Sequence, residues 1–425
     1  MKVTACADSR LEPDAAVLAF DVSMDVLNLY TELGADSLES EFENRTDVIE
    51  RHLIDLEARA RRLSYRRILV VAEATGGYQE SLMRVACRLG LEPAWVNGEA
   101  VAKMRVVESN DSGKTDIKDP RVIHLVARMG KTLKYRELDE MYGALREWHK
   151  VYEGAHAGVA HAKGEMHRRL KALFPDYSFG KDFLYEPSGR ALIDRYGANP
   201  YRIVASGKSR FAKAMRKAAP RIQNRSIERL WRDASISVRN CLSNEQVRIR
   251  ELRLRHCWEE FLLHDERKIE IATEMENIYE QLRMRDRHLP RAKKGVVSTL
   301  MLARIVAETG PLSDFSSKQK IIRFAGLNLR ERQSGKYRGK TKLSKKGRTS
   351  LRNALDQAVL PLVKKSALYG EYYHRKKEQQ KMPGTKAIVA VARLFLKMLF
   401  GWYKSGQTFD RNRVFACETR YKMAA

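Results

Sequence analysis

The sequence predicts an α/β domain at the N-terminus followed by a mainly α-helical remainder. Short apolar runs alternate with helical segments between residues 17 and 96, a pattern typical of a sheet with helices packed on it. Beyond residue 136, long stretches contain little Gly or Pro and have helical composition. The chain has 425 residues, of which 44% are apolar, which is enough for two or three domains with buried cores.

The first two strands are predicted on either side of Asp21. Residues 17–20 form a short apolar run that ends at this aspartate, and residues 26–30 form a second run. Two runs so close together are typical of a strand and its hairpin partner. Residues 50–62 then place apolar side chains at helical spacing, which predicts an amphipathic helix.

A second strand and helix follow. Residues 68–72 are continuously apolar and end at Glu73, as in a strand that is buried on both faces. The turn sequence at 75–77 leads into a predicted helix over 80–89, and residues 94–96 form another short strand. Strands that alternate with helices indicate a sheet that is at least partly parallel.

The remainder is predicted to be helical with one interruption. A helix is expected over 137–173, where a proline follows shortly after. Residues 176–225 are broken up by Gly and Pro, and we interpret them as an insertion or linker without an assigned function. Residues 226–287 carry an apolar stripe, which predicts a long helix or helical hairpin of coiled-coil type. Helices return over 296–324 and 351–403.

These elements and the charge distribution divide the chain into parts. The predicted domains are 1–135, 136–288 and 289–425. Residues 1–125 hold 16 Lys and Arg against 22 Asp and Glu, whereas the remaining residues hold 64 against 31. The net charge of +27 predicts a polyanionic partner, either nucleic acid or an anionic membrane. The asymmetry indicates carboxylate chemistry in the first domain and polyanion binding in the rest.

A membrane is the less favoured partner. The most apolar stretch, residues 387–403, contains Arg393 and Lys397 and is shorter than the roughly 20 residues that a spanning helix needs. Residues 1–10 lack a basic segment followed by an apolar one, so no secretory signal is predicted. Five scattered cysteines form neither a zinc motif nor a disulfide framework. We therefore expect a cytoplasmic protein with free thiols.

Four carboxylates are candidate metal ligands. Asp21 and Glu73 each follow an apolar run directly, and the carboxyl ends of parallel strands meet at one edge of a sheet. Asp116 and Asp119 have the spacing that places two side chains on one helix face. Mg²⁺ prefers such oxygen ligands and leaves positions open for phosphate and water. A solvated surface acid is the alternative for each aspartate alone, and charge does not rank Asp116 or Asp119 above Asp111.

A basic loop surrounds one serine. Between residues 316 and 352 the chain holds thirteen Lys and Arg and one acid, Glu331. Ser334 lies in this loop, where guanidinium groups could stabilise a phosphate under attack by its hydroxyl. The alternative is a loop that binds nucleic acid without chemistry. The cations predicted to contact nucleic acid are Arg330, Arg332, Lys336, Arg338, Lys340, Lys342, Lys345, Lys346, Arg348 and Arg352.

Together these motifs resemble one transposase family, the insertion-sequence one-ten transposases, which are relatives of the pilin-gene inverting recombinases. The first set contains the four carboxylates: AFDVS at 19–23, EATGGY at 73–78 and KTDIKD at 114–119. The second set lies in and beside the basic loop: FAGL at 324–327, RERQSG at 330–335 and LSKKGR at 343–348. Both sets occur in the family's order and span most of the chain.

The resemblance implies an RNase H-like first domain of the Holliday-junction-resolvase type, a coiled-coil middle and a helical C-terminal transposase domain. It implies that Asp21, Glu73, Asp116 and Asp119 bind Mg²⁺, and that Ser334 holds the cleaved DNA strand as a phosphoserine ester. It implies a homo-oligomer, a dimer or a tetramer, that joins the acidic site of one subunit to the serine of another. It also implies a structured noncoding guide RNA that pairs with target and donor DNA, which suits a protein that reads backbone shape.

Some features depart from the family pattern, and two other functions stay open. Pro120 disfavours helix at Asp119, so that helix could be distorted or start late. The family's usual Pro-Gly-Ile-Gly turn is present only as KKGV at 293–296, and Ser344 is the next candidate nucleophile if the alignment of Ser334 is shifted. The first rival function is a structure-selective endonuclease that uses metal-activated water. The second is a nucleic-acid-binding protein without catalysis.

Overall fold

The computed structural model describes residues 14–74, 76–109, 118–330, 333–334, 337–339, 342–365 and 367–407. These residues belong to two units. The first unit extends to residue 139 and also includes 311–321, and the second comprises 140–310 and the residues from 322 onward. The division into three domains, with boundaries after residues 135 and 288, stays a prediction.

A six-stranded mixed sheet forms the centre of the first unit. Its strands are β1 (Ala15–Val22), β2 (Val26–Leu33), β3 (Asp36–Glu43), β4 (Arg67–Glu73), β5 (Glu92–Val96) and β6 (Thr132–Lys134). They lie side by side in the order β3-β2-β1-β4-β5-β6. Strands β1, β4 and β5 are parallel, whereas β2, β3 and β6 are antiparallel to their neighbours. The predicted β1–β2 hairpin is confirmed, and the sheet is consistent with the RNase H-like fold that the resemblance implies.

Helices cover both faces of this sheet. They are α1 (Thr46–Arg62), α2 (Glu80–Arg88), α3 (Gly98–Ser109) and α4 (Lys118–Arg128). Leu18 and Phe20 of β1 face a core shared with α1 and α2, whereas Val17 and Ala19 face a core shared with α3 and α4. Because both faces are buried, β1 and β4 have continuous apolar sequences rather than alternating ones.

Helices also dominate the second unit. Those in or partly in it are α5 (Glu140–Leu173), α6 (Pro187–Tyr196), α7 (Pro200–Ala205), α8 (Lys208–Ala218), α9 (Asn224–Ser237), α10 (Asn244–Arg285), α11 (Thr299–Thr309), α12 (Lys318–Phe324), α13 (Thr349–Lys365), α14 (Ala367–His374) and α15 (Gly384–Ser405). Four short strands lie between α12 and α13: β7 (Leu329–Arg330), β8 (Gln333–Ser334), β9 (Tyr337–Arg338) and β10 (Lys342–Leu343). The structure thus confirms an α/β unit that is followed along the chain by a mainly helical part.

The apolar stripe of α10 is partly covered within the chain, whereas Leu252, Leu262 and Ile269 are exposed. Leu254, Trp258 and Phe261 are buried in a core that also contains side chains of α5. The segment predicted as one long helix or hairpin is divided into α9 and α10, because Cys241 has a left-handed backbone conformation with φ of 50° and Ser243 caps α10. The coiled-coil assignment is not confirmed.

The segment that we interpreted as an insertion or linker is folded. Its helices α6–α9, residues 187–237, pack around a core that includes Leu192, Phe211 and Leu230. Proline occupies the first turn of α6 and of α7, where its missing N–H is not needed. Gly197 ends α6 in a left-handed conformation. The Gly and Pro residues therefore mark helix ends, and we call this part the α6–α9 module.

Two further expectations concern the apolar and cysteine residues. Helix α15 buries Ala387, Val391 and Phe395, as expected of an amphipathic or core helix. In the part of the chain that the structure describes, no helix is long and apolar enough to cross a membrane. Cys87, Cys241 and Cys257 are free thiols.

Candidate active site

Asp21 and Glu73 lie side by side at the ends of neighbouring parallel strands. Phe20 of β1 is opposite Ala72 of β4, so Asp21 and Glu73 are the next residue on each strand. Neighbouring strands are about 4.8 Å apart. Since alternate side chains face opposite sides, both carboxylates face the side of the sheet that α3 and α4 cover. Both residues are half-buried, and they form the centre of the candidate active site.

The start of α3 is fitted closely to Glu73. A Cβ atom on Gly98 would overlap Oε1 of Glu73, so a side chain at position 98 would displace the carboxylate. The Oδ1 atom of Asn97 accepts a hydrogen bond from the Glu99 N–H at 2.8 Å, which fixes the backbone at this turn. Glycine is therefore required for the observed position of Glu73.

Asp119 lies on α4 and is held by an arginine that the sequence did not reveal. Helix α4 starts at Lys118, and the ring of Pro120 is accommodated in its first turn. The side chain of Asp119 is 3% exposed. The Nε and Nη2 atoms of Arg105 on α3 donate to its two oxygens at 2.6 Å each. The pair neutralises a buried carboxylate that would otherwise be costly.

Some of the predicted carboxylates are placed where they could bind a divalent cation. Asp116 lies outside the described residues. Within the described residues, no three His, Cys, Asp or Glu side chains are close enough together to hold a metal ion. Asp21 and Glu73 provide the oxygen ligands that Mg²⁺ prefers. Both oxygens of Asp119 accept a hydrogen bond from Arg105, so a cation bound there would share the carboxylate with Arg105 or replace it.

The backbone of Ser334 belongs to a short hairpin. Strands β7 and β10 pair antiparallel, with Arg330 opposite Lys342. Strands β8 and β9 also pair antiparallel, with Ser334 opposite Tyr337. Ser334 is thus the last residue of β8, beside the connection to β9. We call residues 329–343 the basic hairpin.

Two glycine-containing segments meet at the base of the basic hairpin. The backbone N–H of Lys345 donates to the Gly326 carbonyl at 3.0 Å, and that of Arg348 donates to the Phe324 carbonyl at 3.1 Å. A Cβ on Gly347 would overlap backbone atoms of Phe324 and Gly326. The alternative nucleophile, Ser344, accepts a hydrogen bond from the Lys346 N–H at 3.3 Å, so its hydroxyl stabilises this turn.

The cations predicted to contact nucleic acid are placed differently from one another. The exposed ones are Arg330, Lys342, Lys345 and Lys346. Arg352 donates to the Ala325 and Gly347 carbonyls at 3.1 and 3.0 Å. Arg338 lies on β9, and Arg332, Lys336 and Lys340 lie outside the described residues. Nucleic-acid contact by all of these residues stays a prediction.

A largely buried polar network includes Arg348, the residue that follows Gly347. Nε of Arg348 donates to Oε2 of Glu308 at 2.7 Å, and Nδ1 of His149 is 3.1 Å from Oε1 of Glu308. Arg304, which is 1% exposed, forms an ion pair with Glu153 and is 3.4 Å from His149. The network joins α5 and α11 to the residue that precedes α13.

The network keeps its carboxylates ionised despite burial. Burial raises the pKa of Glu308, but the hydrogen bonds with His149 and Arg348 outweigh it and lower this pKa to about 2. Burial lowers the pKa of His149, whereas its hydrogen bonds with Glu153 and Glu308 raise it above the usual value. These charges stabilise one another and fix the base of the basic hairpin.

Two protein-family models match parts of the chain. A model described as Transposase IS116/IS110/IS902 family matches residues 294–374, and a DEDD transposase model of the IS110 group matches residues 28–175. Glu73, Asp116 and Asp119 lie within the second match and Ser334 within the first, while Asp21 precedes both. Among curated proteins, none matches the chain.

The chain is therefore a transposase, an enzyme that cuts and rejoins DNA. It carries the transposase domains of the IS110/IS116/IS902 family. This finding confirms the predicted kind of enzyme and its DNA partner. The rival reading as a non-catalytic binding protein is thereby set aside.

Gly98→Ala is expected to reduce DNA strand cleavage at least about tenfold, because the new methyl group displaces the Glu73 carboxylate. The rate of strand cleavage would be measured together with the thermal unfolding midpoint. Gly143→Ala is the matched control, since nothing lies within 4 Å of a Cβ at that helical position. Equal cleavage by both variants would show that the Glu73 position is unimportant.

Glu308→Gln is expected to lower the free energy of unfolding by about 3 kcal/mol or more, because it removes the charge of a buried carboxylate that pairs with buried His149 and with partly exposed Arg348. The pKa of Glu308 is about 2 in the folded chain and usually 4.5. Ionised Glu308 therefore stabilises the fold above pH 4.5, and this stabilisation is lost as the pH falls toward 2.

The difference between wild type and variant should shrink over the same pH range. Denaturant unfolding across that range measures it. The exposed Glu147→Gln variant on α5 serves as control, because Glu147 pairs only with exposed Lys150 among the contacts described. A difference that does not depend on pH would contradict the ionic role of Glu308.

Proposed function

We propose that this transposase is a serine recombinase in which Ser334 is the nucleophile. In the proposal, Asp21, Glu73, Asp116 and Asp119 bind Mg²⁺. The observation that carries it is the placement of Asp21 beside Glu73 at the ends of β1 and β4. Asp119 supports the same assignment, since α4 covers that face of the sheet.

The proposed reaction exchanges one phosphate ester for another. The Ser334 oxygen bonds to phosphorus and its proton is lost, while the bond from phosphorus to a sugar oxygen breaks and that oxygen takes up a proton. The products are a phosphoserine ester and a sugar hydroxyl. Attack by a sugar hydroxyl on the phosphoserine then restores a diester and frees the serine, so rejoining needs no ATP.

Charge on the phosphate must be stabilised during both steps. Exposed Arg330 and Lys342, which are paired across β7 and β10, are suited to this role at the basic hairpin. A bound divalent cation would polarise the phosphate oxygens. Of the described carboxylates, Asp21, Glu73 and Asp119 would hold it.

We further propose a structured guide RNA and a dimer or tetramer as the working state, in the cytoplasm. The RNA is supported by the resemblance and by the charge of the chain, since residues 126–425 hold 64 Lys and Arg against 31 Asp and Glu. Base pairing would select the DNA sequence, while cations of the protein contact backbones.

Ser334→Ala is expected to abolish a covalent protein–DNA adduct. Purified protein, element-derived RNA, Mg²⁺ and end-labelled DNA would be incubated, denatured and separated on a gel. Ser344→Ala is the matched control and should retain the adduct. Cleavage by Ser334→Ala without any adduct would instead indicate an endonuclease that uses metal-activated water.

Asp21→Asn is expected to lower strand cleavage by about 100-fold or more, because it removes a charged metal ligand. Binding to DNA and RNA should be nearly unchanged, which a gel-shift titration measures. Asp25→Asn is the control, since Asp25 is exposed in the turn after β1. If Asp21→Asn cleaved DNA as well as this control, Asp21 would not belong to the site.

A further inference from the structure

The α6–α9 module carries positive charge outside the candidate active site and the basic hairpin. It lies between the two segments that match transposase families, residues 28–175 and 294–374. Residues 187–237 contain twelve Lys and Arg against three Asp and Glu. The neighbouring helix α10 contains eight against ten. The module is therefore much more basic than the helix beside it.

Helix α8 gathers much of this charge on one side. Phe211 and Met215 are fully buried and attach the helix to the core of the module. Arg210, Lys213 and Lys217 have i, i+3 and i+7 spacing, which places them together on the opposite side. All three are exposed. At 1.5 Å per residue, they form a cationic stripe about 10 Å long.

The stripe lacks nearby counter-charges. In the described part of the chain, no acidic side chain forms an ion pair with Arg210, Lys213 or Lys217, and α8 itself contains no acid. Glu228 pairs with Lys208 at one end of the helix. Like charges on one helix face destabilise it slightly, and packing of Phe211 and Met215 does not require them. The arrangement is suited to an external polyanion.

The aromatic side chains of the module indicate which polyanion. Tyr196 packs against Phe211 with ring centroids 5.3 Å apart, and Phe211 lies 6.1 Å from Trp231. No aromatic residue between 187 and 237 is exposed. Single strands are usually bound by stacking of bases on exposed aromatic rings. The module has exposed cations but no exposed aromatic rings. This combination favours binding to a duplex, because its phosphates lie on the outside and its bases are stacked inside.

We propose that the α6–α9 module docks duplex DNA, with Arg210, Lys213 and Lys217 contacting phosphates. The enzyme cuts and rejoins DNA, so a DNA duplex is an available partner. A stripe about 10 Å long faces about six phosphate charges of such a duplex. The contact is independent of base sequence. It adds affinity outside the candidate active site and does not depend on the serine mechanism.

The test measures binding rather than cleavage. Full-length protein carrying Arg210→Gln, Lys213→Gln and Lys217→Gln would be titrated with labelled duplex DNA over a salt series, without divalent cation. Each lost phosphate contact lowers the slope of log affinity against log salt by about 0.9, so a decrease of 2 to 3 is expected, where ~3 contacts are lost. Affinity at physiological salt should fall at least about tenfold.

A second triple variant makes the comparison specific. Arg84→Gln, Lys150→Gln and Arg248→Gln remove the same charge, but these cations are exposed and already paired with Glu80, Glu147 and Glu245. This control should change the slope by less than about 1. Equal slopes for the two triple variants would overturn the proposal, since only overall charge would then matter.

Two further measurements test whether the module prefers DNA to RNA and whether the triple variant is still folded. The same titration with duplex RNA distinguishes the nucleic acids, and a larger loss for RNA than for DNA would overturn the assignment to DNA. If the triple variant unfolds at a lower temperature than wild type, Lys213→Glu alone would be used, with an expected slope decrease of about 1. An unchanged slope in that variant would also refute the proposal.

Discussion

The parallel pairing of β1 with β4 is the constraint on which the candidate active site depends. Its register places Phe20 opposite Ala72 and so brings Asp21 beside Glu73. A slip of one residue would turn every side chain of one strand to the other face. Close packing in both cores opposes such a slip, because side chains of different size would exchange places. The burial that stabilises the sheet therefore also places the two carboxylates.

In each unit, an arginine side chain offsets the charge of a buried carboxylate. Asp119 is 3% exposed and receives two hydrogen bonds from Arg105, and Glu308 is bound by Arg348. A buried carboxylate without such a partner would cost several kcal/mol or become protonated. In both units a glycine also allows close approach beside the charged residues: Gly98 next to Glu73, and Gly347 next to Arg348.

The sequence predicted strands that are buried on both faces and missed the elements with weaker patterns. Strands β1 and β4 were found because continuous apolar runs are distinctive. Strand β3 was missed because its sequence DSLESEFE is rich in acids and buries only Phe42 fully. Helix α3 was not predicted because its sequence has no clear apolar face. The role of Arg105, which lies on this helix, was therefore not predicted either. The partner of Asp119 is set by the packing of two helices, which residue spacing cannot show.

The Arg105–Asp119 pair bears on how the proposed metal site would be completed. Its two hydrogen bonds engage both oxygens that a cation would use. Arg105 offsets part of the cost of burying the Asp119 carboxylate, which lies on the side of the sheet that Asp21 and Glu73 face. A divalent cation at Asp119 would therefore share this carboxylate with Arg105 or take the place of Arg105, whereas Asp21 and Glu73 lie beside each other at the strand ends.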